Sequence, residues 1–264
     1  MIKAAILYIC TGKYDVFWKD FFESYERNFL PDTRKEYFVF TDADKLYKED
    51  ECDRIHKIYQ ERLGWPDDTL MRYHLFDTIL EQLRLFDYIF FMNANCKCVA
   101  KIGEKEFLPI EKDVVVVQHP GAYRKKPRQF TYDRNPKSTA YIKRGHGKYY
   151  VCGGINGGKA AAYINLIKEL KRNIDIDKEN NIIARWHDES HINHYILEHD
   201  NWMLLSPSYC YAEGWNLPFE AKILVRDKSK YFDVDTMKSG KFIALLKKIK
   251  NAIKAVNWRK KCHF

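Results

Sequence analysis

At 264 residues, 46% of them hydrophobic, the chain is long enough to bury one substantial core, and a single domain of α/β size is expected. Its formal charge of +9 comes from 45 Lys and Arg against 36 Asp and Glu, yet residues 238–264 alone hold nine Lys or Arg and no acid. The rest is close to neutral, which argues against a nucleic-acid-binding body, because that needs a basic face across the fold.

In chain order, Ala4 to Cys10 reads as a buried strand. It is too short to span a membrane and runs into a Gly-Lys-Tyr turn rather than a cleavage site, so no signal peptide or anchor is expected. Residues 15–29 place Trp18, Phe21, Phe22, Tyr25 and Phe29 at helical spacing, and 37–42 is a second strand. A short strand at 56–60, a helix from about Thr69 to Leu83 and the strong strand Tyr88 to Met92 follow. Further strands are expected at 114–117, 149–152 and 202–206, with helices at 160–170 and about 188–197. Strands alternating with helices predict an α/β sheet with covered faces. Residues 121–147 are polar, basic and rich in Gly, Pro and Tyr, and read as a long functional loop or lid. From 241 to 256 an apolar face opposes a lysine face. That predicts a basic amphipathic C-terminal helix, packed on the domain, lying on anionic lipid or docking an acidic partner.

Seven cysteines, without CxxC pairs or zinc-finger spacing, suit small core residues in a reducing cytoplasm. Aromatic content of 15% suits a surface that stacks on sugar rings or a uracil.

Three motifs compete for the chemistry. Residues 153–159, GGINGGK, fit the spacing of a phosphate-binding loop between a strand and a helix, but Ala160 stands where a magnesium-binding hydroxyl is needed. His187 and His191 have zinc-ligand spacing, but Asp188 rather than Glu follows the first, and no third ligand suggests itself; the alternative is polar helix surface. Asp42-Ala43-Asp44 could grip a divalent ion, although such a pair more often closes a strand-ending turn. The end of the strongest strand carries Asn93-Ala94-Asn95, and amides hold no charge for a divalent ion. The sequence thus predicts no metal site.

WHDESHINHY at 186–195, with CTGKY, FTYDR at 130–134, YYVCGGINGG at 149–158 and SPSYC at 206–210, resembles the family 6 glycosyltransferases, the group of the blood-group A and B transferases and the α-1,3-galactosyltransferases. The resemblance runs in order over nearly the whole chain. It implies a GT-A fold, a Rossmann-like mixed sheet flanked by helices, over residues 1–237, followed by the basic tail at 238–264. It also implies retaining transfer from a UDP-sugar in α-1,3 linkage. By position, Ile9, Cys10, Thr11 and Tyr14 match residues that cradle uridine, and Arg72 matches an arginine that reaches the donor sugar. Asn93 and Asn95 stand where animal members carry Asp-x-Asp, as in the metal-independent bacterial branch, so no cofactor and no Mn²⁺ are expected.

The diphosphate then needs another counter-charge. Arg226, Lys228 and Lys230 lie where the family has a phosphate-binding lysine, and Lys228 is favoured. Gly153 and Gly154 align with the donor-selecting segment. A glycine at Gly154 leaves room for an acetamido group, which favours UDP-N-acetylgalactosamine. Glu189 matches the essential glutamate under the anomeric carbon, able to attack it or to stabilise an oxocarbenium ion. Asp188 is expected on donor-sugar hydroxyls. His119, Thr131 and Trp186 match acceptor contacts, while Ala212 replaces an acceptor-binding Asp, with Glu213 adjacent. The implied partners are the UDP-N-acetylgalactosamine donor and an oligosaccharide or glycolipid acceptor, the first guess being a fucosylated galactose. Peripheral contact with the inner face of the cytoplasmic membrane through the tail is a subsidiary reading.

Overall fold

The computed structural model describes residues 1–233. The amphipathic helix read at 241–256, and the membrane contact attached to it, lie outside the described residues.

The described residues form a seven-stranded mixed sheet. β1 (Lys3–Ile9), β2 (Arg34–Thr41), β3 (Ile55–Tyr59) and β4 (Tyr88–Met92) run parallel, with β1 between β2 and β4. β6 (Val114–Gln118) and β8 (Trp202–Leu205) are parallel to each other, and β7 (Val151–Lys159) is antiparallel to both β4 and β6. The order is β3-β2-β1-β4-β7-β6-β8. β5 (Cys96–Cys98), β9 (Tyr211–Ala212) and β10 (Ile223–Val225) make a small second sheet with β10 in the middle.

Side-chain alternation along β1 divides the core. Ala4, Ile6 and Tyr8 face one cluster with Trp18, Phe21 and Tyr25 of α1 (Trp18–Asn28), while Ala5 and Leu7 face the other. That second cluster takes in α2 (Asp67–Leu70), α3 (Arg72–Asp77), α4 (Leu80–Leu83), α6 (Ala160–Glu179) and α7 (Asp188–Glu198). α5 (Glu104–Phe107) adds Phe107 to the first cluster. The helix predicted over 69–83 is three short pieces, interrupted at Met71 and Ile79, whose backbones leave helical geometry with ψ of 11° and 18°. Leu70, Tyr73, Phe76, Leu80 and Leu83 are nevertheless all buried, so the apolar period survives the breaks.

The glycine run is the larger correction. GGINGGK is not a loop between a strand and a helix but the body of β7, hydrogen-bonded on both sides. A Cβ at Gly157 would run into Phe90 and the Ile89 carbonyl, and one at Gly158 into the Asp113 carbonyl. Close packing between strands, not phosphate binding, explains these glycines.

The 121–147 segment is irregular, as expected, but firmly attached. Phe130, Tyr132 and Ile142 bury one another with Tyr150. Asp133 accepts the backbone N–H of Asn135 and of Arg185, and Asp177 accepts Ser138 Oγ and the Thr139 N–H. Among the described residues, no helix is long and apolar enough to cross a membrane.

Candidate active site

The order in which strands are added switches between the parallel neighbours β1 and β4: from β1 the chain steps outward to β2 and β3, then returns to β4 on the other side. Ligand crevices form at the carboxyl ends of strands at such a point. A cavity of about 280 Å³ opens there, lined by Ile9, Thr11, Tyr14, Arg72, Asn93, Asn95 and Lys228 among others. Seven of the residues predicted to meet the donor thus converge.

Cys10 does not join them. Its side chain is fully buried in the core, its N–H donates to the Phe40 carbonyl, and its own carbonyl accepts Thr41 Oγ1. Burial pushes its thiol up to about 12. Alternation along the strand turns Ile9 toward one face and Cys10 toward the other, as their separate core clusters show.

Arg72, almost wholly buried, is the hub of the floor. Its Nη1 donates to the Gly153 carbonyl at 2.7 Å and to Asp188 Oδ2 at 2.5 Å, and its guanidinium lies 4.2 Å from the centre of the Phe91 ring. Burial pushes the Asp188 carboxyl up to about 7, against the pull of Arg72. The ion pair thus spends Asp188 Oδ2 on Arg72.

Glu189, the next residue, takes two donors. Tyr150 OH donates to Oε1 at 2.8 Å and the Gly153 N–H to Oε2 at 3.0 Å. Burial raises its pKa, and these two hydrogen bonds oppose the rise. The approach is close because Gly153 has no side chain: a Cβ there would lie 3.0 Å from Glu189 Cβ and 3.1 Å from Asp188 Oδ2. Gly153 thus joins the two: its N–H donates to Glu189 and its carbonyl accepts Arg72, which lines the cavity.

The N-cap of α7 is His187, with φ of 53° and ψ of −129°, a region most side chains avoid. Its Nδ1 hydrogen-bonds Thr69 Oγ1 at 3.1 Å and its ring meets Trp65 edge to face. His191 is instead buried among Thr139 and Asp177. The two histidines therefore neither form a zinc pair nor lie as polar helix surface. Asp42 accepts the Gly12 N–H at 2.7 Å, which ties the segment after β2 to the segment after β1. No group of three or more potential metal ligands comes together among the described residues.

The two asparagines have different jobs. Asn93 sits beside the Gly154 position, where a Cβ would collide with its amide, so the room left by this glycine is filled by Asn93 itself. Asn95 is buried, and its Nδ2 donates to the Arg226 carbonyl while its carbonyl accepts the Arg226 N–H. This two-way clamp fixes the chain two residues before Lys228. Of the three candidate cations, Arg226 pairs with Asp20 and Lys230 with Glu213. Lys228 alone of the three has no carboxylate partner among the described residues; its Nζ lies 5.4 Å from the Tyr14 ring centre. Burial first, then Arg72, lowers its pKa.

On the expected acceptor side, the Gly121 N–H donates to His119 Nδ1, which leaves Nε2 carrying the proton of a neutral ring. Burial lowers the His119 pKa, with help from Lys125. Thr131 is within hydrogen-bonding reach of the Tyr150 phenol, and Trp186 is half exposed. Glu213, adjacent to Ala212, is occupied by Lys230 and the Asp227 N–H.

Sequence reasoning misses Tyr150, although its motif is quoted, and the cavity-lining residues Arg62, Trp65, Asp68 and Thr69. The Gly-Trp-Pro-Asp-Asp turn is a signal for the latter, since Asp68 Oδ1 accepts the Leu63 and Gly64 N–H groups and shapes that wall.

Comparisons with known proteins follow this geometry. A family profile described as Glycosyltransferase family 6 matches residues 3–238. The chain is 35% identical over 225 residues to the O-antigen biosynthesis glycosyltransferase WbnI of Escherichia coli, covering 85% of this chain and 94% of that one. It is 32% identical over 212 residues to the Histo-blood group ABO system transferase 1 of Rattus norvegicus, and 29% identical over 211 residues to the Globoside alpha-1,3-N-acetylgalactosaminyltransferase 1 of Gallus gallus. Each of these two matches covers 77% of this chain and 60% of the animal protein.

Proposed function

The chain belongs to glycosyltransferase family 6, and on that premise we propose that it moves N-acetylgalactosamine from UDP-N-acetylgalactosamine to a β-galactoside in retaining α-1,3 transfer without a metal ion. One observation carries the reading. Glu189 is oriented by Tyr150 and Gly153, which also accepts Arg72, and the cavity that Arg72 lines holds Lys228, without a carboxylate partner among the described residues, at the strand end where amides stand in place of carboxylates.

The chemistry follows from those groups. The Lys228 ammonium neutralises the diphosphate as the bond from the anomeric carbon to its oxygen breaks, and UDP leaves with the bonding pair. Glu189 offers negative charge to the anomeric carbon as it becomes cationic: it either bonds to that carbon and is then displaced by the acceptor oxygen, or stabilises it while that oxygen attacks, and in both cases the acceptor hydroxyl gives its proton to the departing UDP phosphate. Asp188, anchored by Arg72, helps to set the position of this arginine toward the donor sugar.

The acetamido sugar is supported by the printed activity of the globoside relatives. A second reading, UDP-galactose, is favoured by the Asn93 amide, which fills the space at Gly154. The acceptor reading starts from a fucosylated galactose, and peripheral membrane contact through the basic tail remains part of the proposal.

The test is UDP release from both donors in excess EDTA, with and without 2'-fucosyllactose, for the native chain and Glu189→Gln. Acceptor-stimulated release that survives EDTA, prefers the acetamido donor and drops about a thousandfold in the variant is expected. Activity that EDTA abolishes and Mn²⁺ restores would overturn the metal-free part, and a galactose preference the donor part. Unchanged binding of anionic vesicles after deletion of residues 240–264 would remove the membrane part.

A further inference from the structure

Trp215 is half exposed, at 50%, beside an open cleft that begins at Asn95 and Lys228 and continues along Glu213 and Trp215. Exposure alone says little, since Trp65 and Trp186 are each 46% exposed; what sets Trp215 apart is how its loop is held and what it adjoins. Its backbone is held tightly. The Trp215 N–H donates to the Ala212 carbonyl, the Tyr211 phenol donates to the Trp215 carbonyl at 2.9 Å, and the same phenol accepts the Leu217 N–H. Gly214, with φ of +79°, lets the chain turn into this loop.

The 119–123 turn adjoins the Trp215 ring. A Cβ at Gly121 would lie 3.2 Å from His119 Cε1 and 3.6 Å from Trp215 Cη2, so the two rings flank one glycine. Tyr123 and Phe219, with ring centres 5.0 Å apart, close the two loops on each other farther along. His119 and Trp215 therefore form one continuous wall: a ring N–H donor, then a flat apolar face.

Glu213 cannot supply the carboxylate missing at Ala212, because Lys230 and the Asp227 N–H already hold it. What remains on this side of the cleft for a neutral, hydroxyl-rich molecule is the indole face, whose ring can pack against the C–H face of a pyranose.

We infer that Trp215 is the stacking platform for the second sugar of the acceptor, the one linked to the galactose that meets His119. This inference rests on the acceptor reading given above and narrows it to saccharides of at least two units. The pre-ordered loop makes the contact cheap in entropy, since the ring is already held.

The experiment compares methyl β-galactoside with lactose as acceptors for the native chain, Trp215→Ala and Trp215→Phe, with acceptor-free UDP release as the control for fold and donor site. The expected result is a roughly tenfold loss of kcat/KM on lactose in Trp215→Ala, carried by KM, in line with the loss of one stacked anchor. Methyl β-galactoside turnover and acceptor-free UDP release stay within about twofold of native, and Trp215→Phe recovers most of the lactose activity. Equal losses on both acceptors, or none on either, overturn the inference. A native chain that hydrolyses its donor but transfers to no galactoside refutes the acceptor reading separately. In that case saturation-transfer NMR of lactose with the UDP-bound native chain and Trp215→Ala decides: a signal that the substitution does not reduce, or no signal at all, overturns the platform.

Discussion

The phenol of Tyr150 donates to Oε1 of Glu189 at 2.8 Å, so the carboxylate expected to meet the anomeric carbon is held by a residue from the strand side of the cleft. That hydrogen bond favours the charged form of Glu189 and works against burial, which favours the neutral one. With Asp188 pushed up to about 7 beside it, the two acids titrate as a neighbouring pair. The expected kcat/KM profile falls as pH drops through about 7, because both groups act as carboxylates. Removing the phenol raises the Glu189 pKa further, so Tyr150→Phe moves this acid limb upward. Profiles from pH 5 to 9 for the two proteins check it; an unmoved limb means the phenol has no part in setting the charge of Glu189.

Arg72 and Asp188 are a buried pair, and removing one partner strands the other. Arg72→Ala is expected to lose about 3–5 kcal/mol of stability, read by urea denaturation. Arg72→Met with Asp188→Asn should recover part of that stability while remaining inactive, since charge is then missing from the floor altogether. A double variant no more stable than Arg72→Ala would place the loss in packing against Phe91 instead.

Lys228→Ala should weaken UDP binding roughly thirtyfold, the scale of one charge-assisted contact, while uridine binds as before. Lys230→Ala should change neither, because Lys230 is engaged with Glu213. Titration calorimetry with both ligands separates the outcomes, and equal losses for uridine and UDP would move Lys228 away from the diphosphate.

For Gly154→Ala, the new methyl group meets the Asn93 amide. Overpacking of this kind costs about 1–3 kcal/mol, and transfer from both donors should fall together as Asn93 is displaced. A loss confined to the acetamido donor, with stability unchanged, would mean that the acetamido group itself occupies this space.

The parts legible in the sequence are those with a long period or a dense motif. An unbroken apolar run from Ala4 to Cys10 is enough to announce β1, and WHDESH singles out Glu189 as the candidate carboxylate. The glycines of β7 mislead because local preference reads Gly-Gly as a turn, whereas the space between β4 and β6 decides their conformation. β5, β9 and β10 have two or three residues each, too few to show alternation, and they exist because they pair with one another. Cys10 and Ile9 are adjacent in the motif but point to opposite faces, a distinction that depends on knowing which face is the crevice. Tyr150, Trp65 and Trp215 acquire their places from partners 39, 122 and 94 residues away along the chain, at Glu189, His187 and Gly121.

The Asn95 clamp on Arg226 sets an order of assembly. Every strand of the large sheet is complete by Leu205, but Lys228 has nothing to hold it until β10 pairs with β5, about 130 residues upstream in sequence. During synthesis from the N-terminus, the sheet, Arg72 and Glu189 can all be in position on a chain that still lacks the lysine proposed to meet the diphosphate. On that proposal a nascent or prematurely ended polypeptide of this kind would own the floor for the sugar but not the charge for UDP, and competence to hold the nucleotide would arrive last.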